Sequence, residues 1–243
     1  MPRPAVIVAA AGLGTRLGAG LPKGLVDVGG TTIVERAVAG AQSADVFDQV
    51  IVTAPQNYLD EFIELCPSAR VIPGGDTRQA SVAAALQEAG DAEIIVVHDA
   101  ARCLTPPEVF HRVIAALEVA DGAIATLPMT DTVKRIGPPP ASARRVGVSG
   151  ERYGSNEGQE SSESYEFVAE TLDRATLRRV QTPQAFRASA LRAAHAAGFS
   201  GATDDASLIE AWGGTVVCVP GSPLARKITT PSDMALARAL LEE

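Results

Sequence analysis

The sequence predicts an α/β protein built on a doubly wound, mostly parallel sheet. Apolar runs of strand length recur along the chain, several of them apolar at every position, which suits strands covered on both faces. Between them lie segments whose apolar residues repeat at helical spacing, so strand and helix alternate and imply right-handed βαβ units. The 243 residues are enough to bury a sizeable core, and the chain reads as one domain over 1–243.

The elements follow in order. A strand is expected over Ala5 to Ala10, then a helix over Ile33 to Ala41, a strand over Val50 to Thr53 and a helix over Leu59 to Cys66. Helical spacing returns over Ser81 to Ala89, a strand over Ile94 to Val97, a helix over Pro107 to Ala120 and a strand over Ala123 to Leu127. Pro138-Pro139-Pro140 and the Gly-, Ser- and Glu-rich stretch from Gly147 to Ser164 carry almost nothing that could enter a core, so a flexible insertion is expected over 137–164. The pattern resumes with a strand over Thr215 to Val219. A last helix follows, with Thr230 as N-cap, Pro231 at the first helical position and Asp233 in the first turn.

Composition excludes several classes. With 46% hydrophobic and 21% charged residues the chain is near the globular average. No apolar run approaches the roughly 20 residues that span a bilayer, and the N-terminus lacks the long apolar core of a secretory leader, so a cytoplasmic protein without a membrane partner is expected. Cys66, Cys103 and Cys218 show no CxxC spacing, and His98, His111 and His195 form no ligand constellation. A net charge of −8 argues against nucleic acid as a partner, so any positive charge for phosphates must be concentrated locally.

The segment AAAGLGTRLGAGLPK, Ala9 to Lys23, leaves the first strand. Its glycines at 12, 14 and 18 miss the GxGxxG fingerprint, and Lys23 lies between Pro22 and Gly24 rather than in a Gly-Lys-Ser/Thr loop. Two readings stay open: a backbone cradle for phosphates with Arg16 and Lys23 as neutralising cations, or an ordinary strand-to-helix turn. In VHDAAR, Val97 to Arg102, Asp99 ends a strand where doubly wound sheets bind ligands; it is a metal candidate beside phosphates, or a cap for the next turn.

Taken with GGDTRQAS (Gly74 to Ser81), DTVK (Asp131 to Lys134), QTPQAF (Gln181 to Phe186), TDDAS (Thr203 to Ser207) and KIT (Lys227 to Thr229), these motifs resemble, in order, the 2-C-methyl-D-erythritol 4-phosphate cytidylyltransferase family. The resemblance implies a Rossmann-like nucleotidyltransferase fold with a protruding β-arm, here at about 130–176. It implies a homodimer joined through that arm, a requirement for Mg²⁺, and transfer of CMP from CTP to 2-C-methyl-D-erythritol 4-phosphate with release of pyrophosphate. No covalent nucleophile is needed, because the substrate's own phosphate attacks; catalysis reduces to positioning and charge stabilisation.

Carried over by position, the resemblance assigns Arg16 and Lys23 to the triphosphate and transition state. It assigns the backbone of Ala10, Ala11, Gly12 and Gly14 to the nucleotide, and Gly75, Asp76 and Ser81 to the cytosine. Asp99 falls beside Mg²⁺; Arg102, Thr132, Thr182, Thr203 and Lys227 fall on the substrate side; Arg174 matches the arm arginine that reaches the neighbouring subunit's site, with Arg178 and Arg179 as substitutes.

Local roles compete with several of these. Ser81 also reads as a helix N-cap, Thr182-Pro183 as the start of a helix over Phe186 to Ala197, Thr203 as the cap of the helix in TDDASLIEAWG, and Lys227 as a solvated surface lysine. Ala9 stands where the family usually has proline, which removes a fixed φ but no functional group. Two other functions remain open from sequence: a cytidylyltransferase for another polyol phosphate such as ribitol 5-phosphate, and a non-catalytic nucleotide-binding protein.

Overall fold

The computed structural model describes residues 4–138, 166–199 and 201–242. The chain divides into two compact units, Met1–Leu127 with Arg179–Glu243, and Pro128–Arg178. The insertion expected at 137–164 lies outside the described residues, apart from Gly137 and Pro138.

The first unit is built on a seven-stranded sheet. Its strands are β1 (Pro4–Ala9), β2 (Gln49–Ala54), β3 (Arg70–Pro73), β4 (Ile94–Asp99), β5 (Gly122–Pro128), β8 (Arg178–Arg187) and β9 (Val216–Pro220), in the order β3-β2-β1-β4-β8-β5-β9. β1 pairs parallel with β2 and β4, β2 with β3, and β5 with β9, whereas β8 runs antiparallel to β4. The chain first builds outward from β1 through β2 to β3 and then crosses to β4 on the other side. That reversal opens a crevice beyond the C-terminal ends of β1 and β4, where Ala9 and Asp99 are register partners.

The unbroken apolar strands reflect two cores. In β1, Val6 and Val8 join one cluster with Val34 and Phe62 from α1 (Ile33–Gln42) and α2 (Leu59–Leu65), Phe110 from α4 (Pro107–Ala115) and Met234 from α7 (Pro231–Ala239). Ala5 and Ile7 point to the opposite cluster, with Leu86 from α3 (Arg78–Glu88), Leu191 from α5 (Ala188–Ala196) and Ile209 from α6 (Asp205–Trp212). Burying a side chain such as Ile7 contributes about 1.5–3 kcal/mol, and a polar substitution there would forfeit it.

Helix starts follow their capping chemistry. Thr32 and Glu35 form a capping box on α1, and Thr230 and Asp233 form one on α7 with Pro231 behind the cap. α4 stops at Ala115 and tightens into a 3-10 turn over Ala116–Glu118, short of the expected Ala120.

Three expectations need correction. The segment around Thr182-Pro183 is not a helix start but the middle of strand β8. Its Gln181, Thr182 and Gln184 look too polar for an interior strand, yet each is buried and hydrogen-bonded, to Ser222, the Asp99 N–H and Asp204 respectively. Thr203 is not the cap of α6; Asp204 is, its Oδ1 accepting from Ser207 N at 3.0 Å. Ser81 is not the cap of α3 either. Thr77 is, and Ser81 lies one turn inside the helix. The short edge strand β3 has no counterpart in the sequence reading, because only Val71 and Ile72 in it are apolar and not exposed.

The second unit carries an antiparallel ribbon of β6 (Lys134–Gly137) and β7 (Phe167–Thr171), with a bulge between Arg135 and Ile136. Arg135 pairs with Glu170 at 3.2 Å, and Arg174 Nη1 donates to Thr130 O at 2.6 Å. Thr132 and Arg174 are both exposed on this unit.

Candidate active site

At the exit of β1 the backbone turns through Gly14 at φ 67°, and Thr15–Leu17 form a 3-10 turn pinned by buried Leu17. A Cβ at Gly14 would stand 2.7 Å from Lys23 Cβ, so glycine lets the outgoing loop close onto the returning one. Lys23 N donates to Gly12 O at 3.3 Å, which fastens the two limbs. Lys23 Nζ donates to Ile228 O at 3.1 Å. Burial, then the charges of Lys227 and Arg16, press the Lys23 ammonium below its ordinary pKa.

A cleft opens above the β1/β4 crevice. Its lining gathers Ala10, Ala11, Gly12, Lys23, Gly75, Asp76, Ser81, Asp99 and Lys227 from the residues singled out by sequence, and adds Thr53 and Arg78. One wall is the loop before α3. Ser81 Oγ accepts from Gly75 N at 3.1 Å and donates to Thr77 O at 2.9 Å, so the hydroxyl shapes that loop from within. A Cβ at Gly74 would stand 2.9 Å from Ser81 Oγ and would also collide with Ala11 Cβ. Glycine there lets the two walls meet.

Asp99 lies on the floor, 7% exposed. Arg78 Nε donates to its Oδ1 at 3.1 Å and Lys227 Nζ to its Oδ2 at 2.7 Å. Burial opposes ionisation of this carboxyl, but Arg78, Lys227 and Arg102 overcome it and hold the group well below the usual carboxylate range. Lys227 is therefore not simply a solvated lysine, and Asp99 is an ionised acid rather than a turn cap: its side chain makes no cap hydrogen bond to the following 3-10 turn.

The remaining sequence candidates are placed differently. Thr182 is buried behind Asp99, its Oγ1 accepting from Asp99 N at 2.9 Å and lying 3.2 Å from His98 Nδ1. Burial drives the His98 imidazole down to about 4, so it is neutral near pH 7. Arg102 follows Asp99 in the 3-10 turn Ala100–Arg102 and donates from Nη1 to Ala225 O at 2.8 Å. Arg16 is exposed on the glycine loop, and Thr203 is exposed before α6. Gly14, Arg16, Arg102, Thr182 and Thr203 do not line the cleft.

Sequence reasoning missed Arg78 and Asp205. Both stand inside quoted motifs, GGDTRQAS and TDDAS, but nothing local shows that Arg78 Nη1 donates to Asp205 Oδ2 at 2.6 Å across 127 positions. Burial would weaken the Arg78 guanidinium's hold on its proton, and Asp205 and Asp99 more than reverse that. Arg16, Lys23, Arg78, Arg102 and Lys227 gather near Asp76, Asp99, Asp205 and Asp233, five cations to four acids, giving local positive charge on a chain of net −8. Such an array neutralises phosphates.

Among the described residues no three His, Cys, Asp or Glu side chains converge on one point. Mg²⁺ commonly takes one or two carboxylates and completes its shell with phosphate oxygens and water. The cleft lining offers Asp76 and Asp99, and Asp99, whose oxygens already meet Arg78 and Lys227, fits a cation shared with a bound phosphate. No helix among the described residues is long and apolar enough to cross a membrane.

The profile described as 2-C-methyl-D-erythritol 4-phosphate cytidylyltransferase matches residues 5–143 and 159–243. A curated protein of that name from Rhodococcus opacus (strain B4) is 44% identical over 239 residues, covering 98% of this chain and 94% of its own. The protein of that name from Nocardia farcinica (strain IFM 10152) is 44% identical over 240 residues, covering 97% and 93%. The crystal structure of the same-named protein from Thermus thermophilus aligns over 100% of both chains at 33% identity and a TM-score of 0.73. A 4-diphosphocytidyl-2C-methyl-D-erythritol synthase from Anaerococcus prevotii DSM 20548, 24% identical with a TM-score of 0.79, shares the fold. The ordered motifs, the crevice they line and a match over nearly the whole length agree, and this chain belongs to the 2-C-methyl-D-erythritol 4-phosphate cytidylyltransferase family.

Proposed function

We propose that this protein transfers CMP from CTP to 2-C-methyl-D-erythritol 4-phosphate, forming 4-diphosphocytidyl-2-C-methyl-D-erythritol and pyrophosphate for isoprenoid precursor synthesis. The observation that carries the reading is the cationic cleft beside the glycine loop, in which Lys23, Arg78 and Lys227 stand around Asp99.

The chemical difficulty is electrostatic: a phosphate dianion must approach the α-phosphorus of a polyanionic nucleotide. A phosphate oxygen of the substrate forms the new P–O bond while the bond to the leaving pyrophosphate breaks. Backbone groups of Ala10, Ala11, Gly12 and Gly14 border the nucleotide, the two glycines leaving room for phosphate oxygens to approach. Arg16 and Lys23 balance charge as it moves onto pyrophosphate. Gly75 and Asp76, on the loop that Ser81 holds, face the cytosine. Lys227 and Arg102 hold the attacking phosphate, with Thr182 acting through the backbone of Asp99. Thr203, exposed beside the cap of α6, is open to the substrate side.

Mg²⁺ at Asp99 would supply further charge neutralisation to phosphates. A homodimer is part of the reading: Arg174 is exposed in the 3-10 turn that follows β7, and the ribbon exposes the cross-strand pair Ile136 and Val168 on one face, an apolar surface suited to a second copy. In that arrangement Arg174 and Thr132 complete the partner's site.

Purified protein is expected to release pyrophosphate from CTP in the presence of 2-C-methyl-D-erythritol 4-phosphate, and not with CTP alone. Faster release with ribitol 5-phosphate would shift the substrate assignment, and no release with either at any Mg²⁺ concentration would sink the reading.

A further inference from the structure

Asp205 is 1% exposed and lies at the first position of α6, outside the cleft lining. Its two oxygens are divided: Oδ2 accepts from Arg78 Nη1 at 2.6 Å, and Oδ1 lies 3.2 Å from His195 Nε2 on α5. Arg78 is likewise divided, with Nε on Asp99 Oδ1 and Nη1 on Asp205, while its Nη2 is buried without a protein partner among the described residues.

We propose that Asp205, braced by His195, is a positioning residue that sets the orientation of Arg78 and so leaves Asp99 Oδ2 to Lys227. A guanidinium beside a lone carboxylate tends to present two parallel N–H groups to it. Here the second carboxylate draws one nitrogen away, and Asp99 receives a single N–H from Arg78 on one oxygen and the ammonium of Lys227 on the other. Without Asp205, Arg78 is free to turn onto both oxygens of Asp99 or onto a bound phosphate. The first movement competes with Lys227 for Oδ2 and the second withdraws Arg78 from Oδ1. Small displacements of positioning groups lower turnover by as much as about 10²-fold.

The inference rests on the cytidylyltransferase reading, and the test separates the two. Asp205→Asn keeps size and removes the charge. It is expected to lower kcat about tenfold while the Kd for CTP, measured calorimetrically, moves less than about threefold. In a double-mutant cycle, Asp205→Asn combined with Arg78→Ala should turn over no more slowly than Arg78→Ala alone, because Asp205 acts only through that guanidinium. Losses that multiply, or a kcat for Asp205→Asn within twofold of the wild type, overturn the inference. If Asp205→Asn fails to fold by circular dichroism, the same cycle is run with His195→Gln; there too, multiplying losses or a kcat within experimental error of the wild type overturn it. Inactive wild-type protein would instead sink the functional reading itself.

Discussion

Lys227 Nζ lies 2.7 Å from Asp99 Oδ2, joining the segment after β9 to the end of β4 across 128 positions. Arg78 occupies the other oxygen of the same carboxylate. A buried acid gripped by two cations is a fixed point from which the cleft floor is measured, and its removal leaves two positive charges facing each other.

Asp99→Asn is accordingly expected to cost about 3 kcal/mol of folding stability, the scale of breaking a buried pair, with most of the loss tracing to Arg78 because the Lys227 side chain is 42% exposed. Urea unfolding measures it. A loss under about 1 kcal/mol would mean the two ion pairs are structurally idle.

Lys23→Ala and Arg16→Ala should each lower turnover on the order of 10²–10³, the size expected when one preorganised charge-stabilising group is lost. Lys23 is half-buried and tied to Ile228 O, whereas Arg16 is exposed on the loop. Steady-state pyrophosphate release reads both. A loss of tenfold or less marks the residue as a surface charge.

Thr182→Val keeps shape and removes the hydroxyl that accepts from Asp99 N. The backbone N–H is left without that partner in the interior, so a stability loss of about 1–3 kcal/mol is expected. kcat should fall as well, through the displaced Asp99. An unchanged unfolding midpoint together with unchanged kcat would remove Thr182 from the support of the site.

Asp233 supplies a pH test. Burial alone would raise its pKa, but hydrogen bonds from Thr230, Arg226 and the Thr229 and Thr230 backbone bring it down to about 2. The folded value lies below the unfolded value of about 3.9, so the carboxylate's stabilisation is complete above that pH and is lost as pH falls toward 2. Asp233→Asn should be less stable than the wild type by a constant margin above pH 5, with the margin shrinking below pH 4. Urea midpoints across that range check it, and a margin independent of pH would refute the assignment.

How far the sequence could be read follows from the range of each interaction. The βαβ alternation was legible because strand and helix periods are local, and because a strand buried on both faces must be apolar throughout, as Val6, Ile7 and Val8 are. The cap at Thr230 was legible because Asp233 satisfies it within three residues. Strand β8 was misread because Gln181, Thr182 and Gln184 acquire partners only from Ser222, Asp99 and Asp204. Their polarity is acceptable in the interior solely because of those distant groups.

The same division runs through the site. Cations and small residues at AAAGLGTRLGAGLPK, and an acid at a strand end in VHDAAR, determined by themselves that phosphate chemistry was possible and where on the sheet it would lie. Which cations face which acid was decided only by folding. Arg78 meets Asp205, Lys227 meets Asp99 and Thr182 supports Asp99 from behind, over separations of 83 to 128 residues. Charge acts at close range in space, and a sequence records neighbours along the chain but not those the sheet brings together.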